Sequence, residues 1–89
     1  EMKVIANPIF LDAFEWDGSK ETFEKIKKLA SNIEDDVYMR DGQLVVYDGM
    51  FEEEEVVKIG HFVVFENDKI NTYSPIIFEV LFQEVDNDT

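Results

Sequence analysis

The run Pro8-Ile9-Phe10-Leu11-Asp12-Ala13-Phe14-Glu15-Trp16, closed by Asp17-Gly18-Ser19, constrains this chain more than any other stretch. Proline has no N–H for a central ladder, so strand pairing is expected to start after Pro8. From Ile9 onward, alternation places Ile9, Leu11 and Ala13 on one face and Phe10, Asp12, Phe14 and Trp16 on the other. Both faces are largely apolar, which suits a strand covered on one side and partly on the other, at the centre of a small sheet. Ala13 is small enough for a helix to pack closely against it. Phe10, Phe14 and Trp16 offer ring faces to a base or a pocket, with core packing the stronger reading.

Around this strand the chain is punctuated into short elements. Met2 to Ala6 reads as a first strand or an extended lead-in. Ser19 is a good N-cap, and Phe23, Ile26, Leu29, Ala30 and Ile33 recur behind it at helical spacing, predicting a helix over 20–32. Glu21 and Glu24 come early and Lys25, Lys27 and Lys28 late, the order that the helix dipole favours. After a polar exit over 32–36, Val37–Arg40 and Leu44–Tyr47 read as a hairpin around Asp41-Gly42. Asp48-Gly49 turns the chain, and Glu52 to Glu55 lead into a strand over Val56–Ile59. His61–Phe65 and Lys69–Tyr73 flank a turn at Asn67-Asp68. Ser74-Pro75 opens a short helix near 75–81. Phe82–Val85 closes as a strand expected to pair with the opening one, and 86–89 should fray. This order predicts one small α+β domain over 1–89, with a mostly antiparallel sheet and the long helix packed on it. Glu1, before Met2, reads as a residue left by a cleaved tag.

Eighty-nine residues bury only ~60–65% of the surface that the unfolded chain exposes, so the core is thin. The chain has no cysteine, so disulfides and thiolate metal sites cannot contribute. No apolar run reaches the length of a membrane span and no secretory leader is legible, which points to a soluble, cytoplasmic protein.

Charge is the loudest feature: 21 acids against 8 bases, net −13. Residues 1–47 carry ten acids and six bases, whereas residues 48–89 carry eleven and two. That balance argues against direct contact with DNA or RNA, which needs Lys and Arg on the phosphates, and against anionic membranes. It favours a basic protein partner, which long-range attraction would bring in quickly. Solubility alone is the plainer explanation of the acidity.

Catalytic signals are absent from the sequence. His61 is the sole histidine and has no positioned partner in its neighbourhood. Ser19, Ser31 and Ser74 sit in no nucleophile motif, and the glycines form no phosphate-cradling loop. Glu52 to Glu55 could attract divalent ions loosely, but a solvated run explains them as well. A non-enzyme without cofactor or bound metal is the expectation.

The stretch Pro8 to Gly18 resembles the opening of a family of small phage and prophage proteins, where proline, an alternating apolar run, an acid, alanine and a Gln/Glu-Trp pair follow a basic leader. Gly60-His61-Phe62-Val63-Val64 and Pro75-Ile76-Ile77-Phe78-Glu79 are similar to its glycine-aspartate-aromatic-apolar segment and closing Pro-x-Ile-Phe-Glu. This chain departs at His61, in place of aspartate, and in a leader with little basic character. The resemblance implies a phage-borne gene and a host bacterial cytoplasm, and it transfers no functional residue. Small acidic phage proteins often bind and disable a host protein. The leading expectation is an acidic inhibitor whose Asp48, Glu52, Glu53, Glu54, Glu55, Glu66 and Asp68 copy the spacing of phosphates. They would occupy the basic groove of a nucleic-acid-binding protein or nuclease, a CRISPR effector included. The alternatives are a self-associating interaction module, such as a homodimer built by edge-strand pairing, and a sponge for a small nucleotide. A sponge would need cations outside the helix, and only Lys3, Arg40, Lys58 and Lys69 offer them.

Overall fold

The computed structural model describes residues 1–6 and 9–85; the expectations about Pro8 and about 86–89 lie outside these residues. The chain runs β1 (Met2–Ala6), β2 (Ile9–Glu15), α1 (Lys20–Ala30), β3 (Asp36–Arg40), β4 (Gln43–Asp48), β5 (Glu53–Val57), β6 (Phe62–Glu66), β7 (Lys69–Tyr73), α2 (Pro75–Leu81) and β8 (Gln83–Val85). The domain is α+β with antiparallel pairing throughout. The strands divide into two sheets, ordered β7-β6-β2-β1-β8 and β3-β4-β5. Strand β2 is the centre of the larger one, and β8 pairs with β1 as expected.

Alternation along β2 sorts its neighbours into two cores. Phe14 and Trp16 join Ile26, Ala30, Val37, Leu44, Val46, Val57, Val63 and Ile70 between the large sheet, α1 and the small sheet. Phe23, Leu29 and Ile33 complete that side, so the helical spacing read from sequence is the buried face of α1. On the opposite face Ala13 meets Val4, Val64 and Phe78 of α2. The small residue therefore admits the short helix. Phe14 and Trp16 are core, whereas Phe10 stands 64% exposed.

Local chemistry sets the boundaries. Ser19 Oγ accepts from Thr22 N at 3.1 Å, and Asp17 accepts from Ser19 N at 2.9 Å, closing the entry of α1. The helix ends at Ala30 instead of 32, because Asn32 N and Ile33 N turn to the carbonyls of Leu29 and Ala30, three residues back. Asp41 and Gly42 have φ of 53° and 77°, and Asn67 and Asp68 have 50° and 61°, the left-handed pairs of two-residue hairpins. Three of the four glutamates are strand and not a lead-in: β5 spans Glu53–Val57, with Glu53, Glu54 and Glu55 opposite Asp48, Tyr47 and Val46. As an edge strand it tolerates side chains that stay in water on both faces.

Gly49 is required by close approach, since a Cβ there would lie 2.4 Å from Glu34 Cγ and 2.7 Å from the Glu34 carbonyl oxygen. Gly49→Ala is expected to cost ~2 kcal/mol as overpacking against backbone, read as a lowered urea midpoint with an unchanged m value.

Candidate protein-interaction surface

The acidic residues expected to act together fall into three groups. Asp48, Glu53, Glu54 and Glu55 line a cleft of ≈ 510 Å³ between the β5 edge of the small sheet and the β7 edge of the large one. Val46 and Ile70 also line it, with Asn71, Thr72 and Tyr73 along the β7 side. Thr72 Oγ1 donates to Glu55 Oε1 at 2.6 Å across the two edges, and Arg40 Nη1 donates to Glu54 Oε1 at 3.0 Å. Glu52, in the turn before β5, has φ of 56° and is exposed. Among the described residues, Glu52, Glu53 and Asp68 make no side-chain hydrogen bond or ion pair.

Glu66 is brought elsewhere. It accepts from Asn71 Nδ2 at 3.1 Å and from the Tyr73 hydroxyl at 2.5 Å, on the face of the sheet that carries α2. Burial and this carboxylate push the Tyr73 phenol up to about 12. Asp68 occupies the β6–β7 turn.

Asp48 has a structural task. Its Oδ1 accepts from Met50 N at 2.8 Å and Phe51 N at 3.0 Å, folding the turn that displays Met50 and Phe51, 64% and 67% exposed. The same oxygen takes a 2.8 Å bond from Lys69 Nζ. The Lys69 ammonium, then the Phe51 amide, hold this carboxyl below its ordinary range.

Sequence reading passed over the residue that joins these pieces. Asp35, taken as part of a polar exit, is 1% exposed and is the one buried charged side chain among the described residues. Its Oδ1 accepts from Gly49 N at 3.0 Å and Lys69 Nζ at 2.8 Å, and its Oδ2 from Ile70 N at 2.9 Å. One carboxylate thus links the α1 exit, the β4–β5 turn and the β7 edge. A single Asp after a helix has no periodicity and no motif, so no local signal marks it.

The remaining candidates take backbone roles. Ser19 and Ser74 cap the two helix starts, and Ser31 ends α1. The His61 carbonyl accepts from Trp16 N at 2.8 Å, extending the β2–β6 ladder. Among the described residues no group of three or more His, Asp or Glu side chains is arranged to hold a metal ion. Among them, too, no helix is long and apolar enough to cross a membrane. No protein-family profile, curated protein or solved structure matches the chain.

Proposed function

We propose that the protein is a non-enzymatic acidic inhibitor that captures a basic, nucleic-acid-binding protein of the host cell in which a phage gene is expressed. The observation that carries this reading is the β4–β5 hairpin, where four consecutive glutamates, Glu52 to Glu55, are exposed on and beside a rigid edge strand. Side chains alternate along the strand, so Glu53 and Glu55 share one face about 6.8 Å apart, two of the ~3.4 Å steps by which one DNA strand advances its charges along the helix axis. Met50 and Phe51 stand exposed at the tip of the same hairpin, giving the charge row an apolar anchor of the kind that protein interfaces use. Three of the four cations that a nucleotide sponge would need are already paired: Lys3 with Asp12, Arg40 with Glu54, Lys69 with Asp35 and Asp48.

The test is capture from host lysate on the immobilised chain, eluted with rising salt. One dominant nucleic-acid-binding protein released by salt is expected. Glu52→Lys/Glu53→Lys should lower its affinity by ~10–100-fold, mainly through a slower on-rate, because those side chains make no internal contacts that folding needs. Glu21→Lys/Glu24→Lys changes net charge equally on α1 and should have a much smaller effect. A partner that resists salt, or equal losses in both variants, would refute the reading.

A further inference from the structure

Strand β7 closes one side of the large sheet, and no strand among the described residues pairs with its outer edge. In an antiparallel ladder, alternate residues turn their N–H and C=O toward the partner strand and away from it. Ile70 N donates to Asp35, which approaches from outside the sheet, so Ile70 and Thr72 are the outward-turned residues of β7. The Ile70 carbonyl and the Thr72 N–H and carbonyl have no main-chain partner among the described residues. Open edges are commonly guarded by charged side chains, but beyond Lys69 this strand carries only Ile70, Asn71, Thr72 and Tyr73. Asp35 already supplies at Ile70 the kind of acceptor that an added strand would supply at Thr72.

The edge opens into the cleft between the two sheets. Consecutive β7 residues from Ile70 to Tyr73 line it, and their side chains alternate between faces, so the main chain itself runs along the cleft. On the facing wall, β5 turns Val57 into the core, and Glu55 and Glu53 continue that row into the cleft. Arg40 is paired with Glu54 and Lys69 with Asp48, whereas Glu53 and Glu55 have no cation against them among the described residues. The lining contains no Lys or Arg. Charge therefore selects the occupant. Nucleic acid would set its phosphates against these carboxylates. A second copy paired edge to edge would bring two such glutamate rows together, with a net charge of −13 on each chain.

We infer that the cleft takes an extended, basic segment of a partner protein, which adds to the β7 edge as a further strand and pairs with Ile70 and Thr72. In this mode main-chain bonds hold the segment and alternate side chains give selectivity. Every second residue of the added strand faces the small sheet, so Lys or Arg at alternate positions meets Glu53 and Glu55, which share one face of β5. This docking mode rests on the acidic-inhibitor reading for the basic character of the partner, and adds the backbone form in which the partner is held.

The probe is a fluorescein-labelled peptide of alternating Thr and Arg, followed by anisotropy beside two N-methylated forms, one methylated on every Thr amide and one on every Arg amide. Amides of alternate residues point to opposite edges of a strand, so only one set faces β7. One methylated form should bind at least ~10-fold more weakly than the parent peptide, and the other should match it. Thr72→Pro gives up no ladder bond, because that N–H faces outward at an edge where proline is tolerated, and it should weaken the parent peptide by at least ~10-fold. Thr72→Val loses the hydroxyl bond to Glu55 but keeps the N–H, so it should bind the parent peptide as the wild type does. Glu53→Gln/Glu55→Gln should weaken it by ~3–10-fold, in line with partly exposed ion pairs. Equal binding of the two methylated forms would overturn the inference whether or not Thr72→Pro folds, and so would parent binding that a folded Thr72→Pro leaves intact. In host-lysate capture, a salt-released protein retained equally by Thr72→Pro would refute strand addition and leave the inhibitor reading standing. A lysate that yields no such protein, with the peptide results as expected, would do the reverse.

Discussion

Asp35→Ala is expected to lower the stability of the domain by ~3 kcal/mol, since the Gly49 and Ile70 amides lose their acceptor inside the protein. At ~0.05–0.15 kcal/mol per residue, a chain of this size has a total stability of roughly 4–13 kcal/mol, so the loss is a large share. Thermal melting should fall by roughly 15 °C, given ~4–8 °C per kcal/mol for domains of this length. Asp35→Asn keeps an acceptor oxygen and should fall between the two. Lys69→Met should cost less than Asp35→Ala, since Asp35 keeps both amides. Equal melting of Asp35→Ala and wild type would show that the two sheets hold together without this carboxylate.

The same residue sets an acid limb. Burial works against the Asp35 charge, but the Lys69 ammonium and the Ile70 and Gly49 amides outweigh it, so it ionises below its ordinary value of 3.8. A lowered folded pKa means that its contribution is complete above pH 3.8 and is lost as pH falls through the still lower folded value. Lys69 has the opposite sign. Asp35 and Asp48 raise it above 10.5, so its contribution is complete below pH 10.5 and lost as pH climbs past the folded value. Urea melts of wild type and Asp35→Ala should therefore differ most between these limits, and the difference should narrow as pH falls below 3.8. Self-repulsion among the other acids is common to both proteins and largely cancels in that difference.

Phe78→Ala is expected to cost ~3–4 kcal/mol, the range for deleting a buried aromatic ring from a packed site. The effect should be local before it is global. Phe78 is the residue by which α2 joins the core over Val4, Ala13 and Val64, with Phe62 stacked on it and Phe82 5.2 Å away between centroids. Without the ring, a seven-residue helix is too short to persist alone. Hydrogen exchange should show the amides of 77–82 losing protection first, while Val63, Val64 and the α1 amides stay protected. Uniform loss of protection would instead mean that α2 and the large sheet unfold as one unit.

How much of this was legible in the sequence depends on how local the signal is. The capping serines, the Asp41-Gly42 and Asn67-Asp68 turns, the α1 face from Phe23 to Ile33 and the bounds of α2 are all carried by residues within a few positions of one another. Alternation along β2 likewise separated Phe14 and Trp16 from Leu11 and Ala13, and those two sets became the two cores. Tertiary structure decided what lay beyond that range. Alternation reports two faces but not which strands share a ladder, so the division into two sheets had no local mark. The acids of Asp48 and Glu52–Glu55 were visible as a run, yet only the adjacency of the β5 and β7 edges makes them one wall of a cleft, and only the fold turns Glu66 away from it. Asp35 is the extreme case, because its donors come from residues 49, 69 and 70 and its place as a buried junction exists only once those segments meet. Sequence determined the elements and the charge they carry; burial and long-range hydrogen bonding decided which carboxylates hold the protein together and which stay exposed.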